Sequence, residues 1–252
     1  MIIKTSGLVF SCTDISEKDG LLTIFTQSEG LLRVFAKGVK NPKNQNAKGA
    51  LVFAYSEFVL YKNKDNYVLS ECSLKKLFFD LKNDIKKFAL AEYFCDLCME
   101  LSCTAECADS VLTLLLNSIN FLCNGEVEEK RLKAIFEMRL LCMVGYAPNI
   151  ICSHIESEKK FFWSFEEGII FCQKCREKKD DSHFVYFQKG VMLCLLHVFY
   201  SVLKKAFFFE VSEEISTELS EICEKYILFC LEKLPQVLKI YKDICKNLER
   251  TF

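Results

Sequence analysis

Proline is nearly absent, with three in 252 residues, and glycine is sparse, with nine. Long disordered linkers are therefore not expected. Histidine is scarce too, with three copies, and no GxSxG, HExxH or glycine-rich phosphate loop occurs. No nucleophile stands beside an evident base, so the chain does not read as an enzyme and no catalytic residue is assigned. No run of eighteen uncharged apolar residues appears, which excludes a simple spanning helix. The opening "MIIKTSGLVFSCTD" lacks a small-residue cleavage pattern and reads as a first strand rather than a signal peptide.

What is abundant is apolar. Half the residues are hydrophobic, ample for a core in one large domain or two ordinary ones. Fifteen cysteines are scattered among Leu and Phe. Their odd number and the missing export signal argue against a disulfide framework. Most should be small buried hydrophobes in a reducing cytoplasm.

The net charge of -1 hides an asymmetry. Residues 1–88 carry fourteen Lys+Arg against nine Asp+Glu, a balance of +5, and the remainder carries -6. A split of this kind suggests that one half faces a polyanion. The first eighty residues contain five short Val-, Phe-, Leu- and Thr-rich runs: "GLVFSCT", "GLLTIFT", "GLLRVFAKG", "GALVFAYSEFVLY" and "YVLSECS". Polar or glycine turns separate them. Five strands at this spacing predict a small OB-like β-barrel.

Period 2 sorts the third strand. Leu32, Val34 and Ala36 share one face and form the candidate core, while Arg33, Phe35 and Lys37 share the other. The loop that follows adds Lys40, Lys43 and Lys48, and no acid occurs from Gly30 to Ser56. Two readings stay open: an ordinary solvated face, or a DNA-binding track in which cations follow phosphates and Phe35 stacks on an unpaired base. The paired acids Glu17 and Asp19 read as turn chemistry.

After Lys75 apolar residues recur at helical spacing, through 74–103, 110–125, 126–146, 191–209 and 215–248. The expected architecture is α+β and multidomain: a barrel over 1–80, then an all-α domain over 81–252. Residues 147–183 interrupt the helices as a small zinc-ribbon-like insertion. There Cys172-Gln-Lys-Cys175 is a C-x2-C pair, and Cys152-Ser-His154 lies upstream with seventeen residues between His154 and Cys172. Two thiolates plus Cys/His from a second turn satisfy one structural zinc ion. Cys142 and His183 are alternative fourth ligands. Cys95, Cys98, Cys103 and Cys107 sit in a helical pattern and read as packing. His197, inside "CLLHVFY", reads as a satisfied residue at or near the core.

These pieces together resemble one family, the bacterial DNA repair protein RecO. The strand, acidic turn, "LLTIFT", "GLLRVFAKG" and basic loop are similar to its opening, and "FEMRLLCMVGYAPNI" followed by "GIIFCQKC" is similar to its approach to the zinc insertion. The family's first zinc half is usually C-x2-C, and here it is Cys152-x-His154. The resemblance implies a cytoplasmic, nucleoid-associated recombination mediator. Such proteins bind single- and double-stranded DNA, anneal complementary strands, associate with RecR and the C-terminal tail of single-stranded DNA-binding protein (SSB), and help load RecA. Five phosphate contacts would give a salt slope of about -3.5 on single strands. Two other classes remain. One is a protein adaptor that holds the acidic, apolar-ended SSB tail on "VFYSVLKKAFFF" (Val198–Phe209). The other is a zinc-dependent enzyme, disfavoured because a four-ligand site leaves no place for water.

Overall fold

A computed structural model describes residues 1–64, 66–101, 104–175 and 184–249. Five strands open the chain: β1 (Ile2–Asp14), β2 (Gly20–Thr26), β3 (Gly30–Ala36), β4 (Ala54–Asn63) and β5 (Asn66–Leu77). They close into a barrel in the order β1-β2-β3-β5-β4, with β4 pairing back onto β1. All pairs are antiparallel except β3 with β5. This is the OB-like barrel that the strand count predicts. Its interior is filled by side chains from alternate positions, among them Val9, Leu22, Ile24, Val34, Phe58 and Leu60. A Cβ on Gly7 would meet the Phe25 carbonyl at 2.7 Å, so β1 approaches β2 closely only with glycine there.

Three expected helical segments are corrected. Residues 74–84 are not α-helical: β5 continues to Leu77 because Leu74, Lys76 and Leu77 still find partners on β4. A short 3-10 turn (Phe79–Asn83) follows, and α1 (Ile85–Glu100) begins only where Asp84 caps it by accepting from the Lys86 and Lys87 N–H groups at 2.9 and 3.1 Å. Residues 191–209 hold a helix only to Tyr200. Residues 215–248 are split at Pro235, which cannot continue a helix. The fourth strand also starts later than its apolar run suggests. Phe53 takes φ 62, which turns the chain before Ala54. It is held there by hydrogen bonds of its N–H to Val9 O and of Phe78 N–H to its carbonyl, and by an edge-to-face contact with Phe88.

The chain divides into two compact units. The first comprises residues 1–123 and 235–252; the second comprises residues 124–234. In the first, the barrel is accompanied by α1 and α2 (Ala108–Asn124), and the C-terminal helix packs on α1. Cys95 and Cys98 are buried in α1, as core packing requires. Cys103 lies outside the described residues.

The second unit combines α3 (Glu129–Met143), α4 (Lys189–Tyr200) and α5 (Glu213–Leu231) with a four-stranded sheet. The sheet order is β6 (Asn149–Ile150), β8 (Ile169–Cys172), β7 (Lys160–Ser164), β9 (Phe184–Gln188). It therefore runs five residues past the expected end of the insertion. Trp163 on β7 is fully buried, with ring centroids 4.4 Å from Tyr226 and 5.3 Å from Phe165. The Tyr226 hydroxyl donates to Tyr146 O at 3.0 Å, which ties α5 to the end of α3. His197 makes its contacts locally, to Lys205 O at 2.9 Å and to the Ser201 hydroxyl at 3.3 Å.

The motif "FEMRLL" has a structural explanation. Glu137 is fully buried on α3 and meets Lys133 Nζ at 2.7 Å, while Glu224 of α5 meets the same ammonium at 3.0 Å. Burial opposes the Lys133 charge, but the two carboxylates more than offset it and raise its pKa. Arg139 donates to Phe199 O at 3.2 Å and to Ser201 O, closing the end of α4. Lys133→Met should destabilise this unit by about 3–5 kcal/mol, because it strands two carboxylates without their counter-charge. Chemical denaturation followed by near-ultraviolet circular dichroism reads the change. A loss under 1 kcal/mol would show that the carboxylates are solvated instead.

Candidate nucleic-acid interface and metal centre

The barrel's alternation places the third-strand residues as their period requires. Leu32, Val34 and Ala36 are buried; Arg33 and Lys37 are exposed, and Phe35 is half-buried on the outer face. Phe35 lies opposite Leu21 on one side and Val68 on the other, so its ring is flanked by apolar neighbours. Lys40, Lys43 and Lys48 are exposed on the loop.

That loop is fixed rather than loose. Gly38, at φ 65, donates its N–H to the Asp19 carboxylate at 2.7 Å, and the Ser16 hydroxyl donates to the same group at 3.0 Å. These two donors, with Lys37 and Lys18 nearby, hold the Asp19 carboxyl below its ordinary 3.8. Further along, Asn46 donates to Ser70 O at 3.2 Å and accepts from Cys72 N–H at 2.9 Å, stapling the loop to β5. Asp19 is the acid of the turn read in the sequence, and its work is to anchor the loop's first residues.

The cations do not form one group. Arg33 and Lys37 share the outer face of β3, while Lys40 and Lys48 line a separate cleft at the loop's base. Lys40 is partly committed, in an ion pair with Asp14 at 2.9 Å. Among the described residues Arg33, Lys37, Lys43 and Lys48 are in no ion pair. Lys82 joins Lys40 and Lys48 at the cleft. Sequence reasoning missed it, because thirty-odd residues and two strands separate it from the basic loop.

The second constellation converges. The ligand atoms of Cys152, His154, Cys172 and Cys175 all lie within 4.8 Å of one another. β8 delivers Cys172 at its end, and a single 3-10 turn (Gln173–Cys175) brings Cys175 round to the same side. His154 sits in the turn after β6, with Nδ1 3.3 Å from Cys175 Sγ and 3.8 Å from Cys172 Sγ. Its own N–H points at Cys152 Sγ at 3.4 Å. Burial and the Cys172 sulfur push the Cys152 thiol up to about 11. Cys172 is held below 9.0 although burial opposes this, because the Cys152 thiol and the N–H groups of Cys175 and Lys174 donate to it.

Three sulfurs and one ring nitrogen fit a tetrahedral soft divalent ion. Bond lengths of such sites put sulfurs about 3.8 Å apart and nitrogen about 3.5 Å from sulfur. Nδ1 is the imidazole atom positioned to ligate. Cys142 is not part of the group. His183 lies outside the described residues.

Comparison with known proteins agrees with this architecture. Residues 1–78 match the family model "Recombination protein O N terminal", and residues 82–237 match "Recombination protein O C terminal". A "DNA repair protein RecO" of Acetivibrio thermocellus is 32% identical, over 98% of both chains. The chain belongs to the RecO family. RecO proteins of Caldicellulosiruptor bescii and Clostridium kluyveri are 27% and 29% identical, over 96% of this chain and 99% and 94% of their own. The match to the first family model ends at residue 78, one residue past the end of β5 at Leu77. No described helix is long and apolar enough to cross a membrane.

Two outcomes are expected. Cys175→Ser should strip a divalent ion that elemental analysis finds on the purified wild-type chain. Equal metal content in both would dismiss the site. Asp19, whose folded pKa lies below the unfolded one, stabilises the loop above about pH 4 and loses that contribution as pH falls through the folded value. A side-chain NMR titration of Asp19 should give a midpoint below 3.8; a midpoint at or above it would remove this anchor.

Proposed function

We propose that the barrel binds DNA and that the chain acts as a recombination mediator: it anneals complementary strands and helps load RecA onto SSB-coated DNA together with RecR. The observation that carries this reading is the set of exposed cations Arg33, Lys37, Lys43 and Lys48, none ion-paired among the described residues, on an OB-like barrel of a DNA repair family. Cations left unpaired by carboxylates are available to phosphates and release their counterions on contact. Phe35, flanked by Leu21 and Val68, offers an aromatic face beside two of them.

Annealing requires no covalent step. It needs two polyanions brought close with their charge neutralised and their base edges free to pair. Single strands present both phosphates and bases to this surface, and duplexes present phosphates alone. We read this surface as a binding surface: among the described residues, its cations stand on a strand face and a loop suited to phosphate contact. The setting is the cytoplasm, at the nucleoid. The ion suited to Cys152, His154, Cys172 and Cys175 is zinc, in a structural role, since four protein ligands complete its shell.

A second reading concerns the SSB tail. The helix expected over Val198–Phe209 stops at Tyr200, and the turn that follows leaves Tyr200, Val202 and Phe208 exposed beside Lys204 and Lys205. An apolar patch with two lysines complements an acidic tail with an apolar end. It coexists with the first reading, because it uses another part of the chain.

The test is affinity for an oligothymidylate measured against salt. Lys37→Ala/Lys40→Ala/Lys43→Ala should weaken binding and flatten the slope by about 2. The same variant should slow annealing of naked complementary strands. An unchanged slope would reject this contact surface.

A further inference from the structure

A cleft of about 440 Å³ opens at the base of the basic loop, within the roughly 300–1,000 Å³ range of small-ligand sites. Its walls include Val39, Ala50 and Leu51, and three lysines, Lys40, Lys48 and Lys82, stand around it. Among the described residues no carboxylate lines it, and Asp14 stands close by, in an ion pair with the lining Lys40 at 2.9 Å. Lys48 and Lys82 are in no ion pair among the described residues, and the Lys82 ammonium lies over the Phe79 ring at 5.7 Å.

The cleft is preformed. Its far wall is fixed where Ala50 N–H donates to Asn46 O at 3.1 Å and Ala54 N–H donates to Leu51 O at 2.9 Å. Ser56 adds a buried bond to Gly49 O at 2.8 Å. An apolar hollow rimmed by cations needs an occupant with an apolar body and anionic flanks. We propose that this cleft holds the base of one unpaired nucleotide, with its flanking phosphates on Lys40, Lys48 and Lys82. The proposal rests on the DNA-binding reading above and deepens it.

The wall chemistry favours a base over the other anionic candidate, an acidic peptide. The cleft lies at the foot of the loop that supplies Lys43 and continues from Lys37, so a strand tracked by those cations passes its mouth. Aliphatic walls grip the two faces of a planar ring and place no hydrogen-bonding demand on its edge. Recognition is then indifferent to sequence. A nucleotide held this way is unstacked from its neighbours, and the strand is presented one base at a time.

The experiment compares a short oligothymidylate with an abasic oligomer of equal phosphate number. The purified full chain should bind the base-bearing strand about tenfold tighter, the scale of one base held against a protein surface. Ala47→Leu, which fills the cleft, and Leu51→Gln, at an exposed wall position, should each cut that preference severalfold with the salt slope unchanged. Phe35→Ala is the control for stacking on β3. A preference that survives both cleft variants but vanishes in Phe35→Ala overturns the proposal. So does an equal affinity for both oligomers in the wild type while binding itself persists. Failure of both oligomers to bind would overturn the DNA-binding reading along with it. An acidic peptide ending in Phe serves as the competing probe: if the cleft variants lose its binding and keep the base preference, the cleft belongs to a peptide.

Discussion

Closure of the barrel is the constraint on which the rest depends. β3 joins β5 through two register pairs, Val34 with Tyr67 and Phe35 with Val68, in the one parallel contact of the sheet. Because side chains alternate, that register decides which residues of β3 face water. A slip of one residue would bury Arg33, Phe35 and Lys37 and expose Leu32, Val34 and Ala36. The apolar interior therefore does more than stabilise. Burying Val34 and Ala36 forces two cations and a ring outward on one strand. The cation pattern is in this sense a consequence of the core, and a strong one, since exposing Val34 alone forfeits about 1.5–3 kcal/mol of burial.

The basic loop is the second consequence of closure. Loops carrying four like charges with no acid in the sequence around them tend to spread. Here the spread is opposed by polar bonds that cost no cation: Gly38 N–H to Asp19, Asn46 to Ser70 O, and Cys72 N–H to Asn46. Among the described residues only Lys40 of the loop is drawn into an ion pair, with exposed Asp14, and a pair this exposed is worth at most about 1 kcal/mol. A phosphate can displace Asp14 at little cost. The anchors leave the charges of Lys37, Lys43 and Lys48 unspent while restricting where they stand.

Much of this was legible from the residues in order. Period 2 on β3, the C-x2-C turn and the family pattern are all local or fixed-spacing signals. Asp84 as a cap is also local, yet the apolar spacing of "LKKLFFDLKND" outweighed it, because Leu74 and Leu77 fit a helical stripe as well as a strand edge. What the order of residues does not carry is charge pairing across the fold. Lys40 finds Asp14, and Lys133 finds Glu224, only after strands and helices have packed. Lys82 reaches the cleft of Lys40 and Lys48 by the same route. The basic loop looked like one patch because its lysines are neighbours in sequence. The barrel parts Lys37, just past the end of β3, from Lys40 and Lys48, which line a cleft.

The metal group shows the opposite balance. Its spacing was unusual, with a C-x-H half in place of C-x2-C, yet the four ligand atoms come within 4.8 Å. The shorter half closes because His154 presents Nδ1, the ring nitrogen nearer its own backbone, to the Cys175 sulfur, so fewer intervening residues are needed to bring a donor round. The same turn lets the His154 N–H face Cys152 sulfur. A longer first half would place a second thiolate there, adding negative charge to a centre that already has three sulfurs. Replacing it with a neutral imidazole leaves three thiolates and one nitrogen, a set whose charge a divalent ion offsets more nearly. The departure from the family's usual spacing is thus compatible with the same tetrahedral chemistry, at a group that brings the turn after β6 and the end of β8 together.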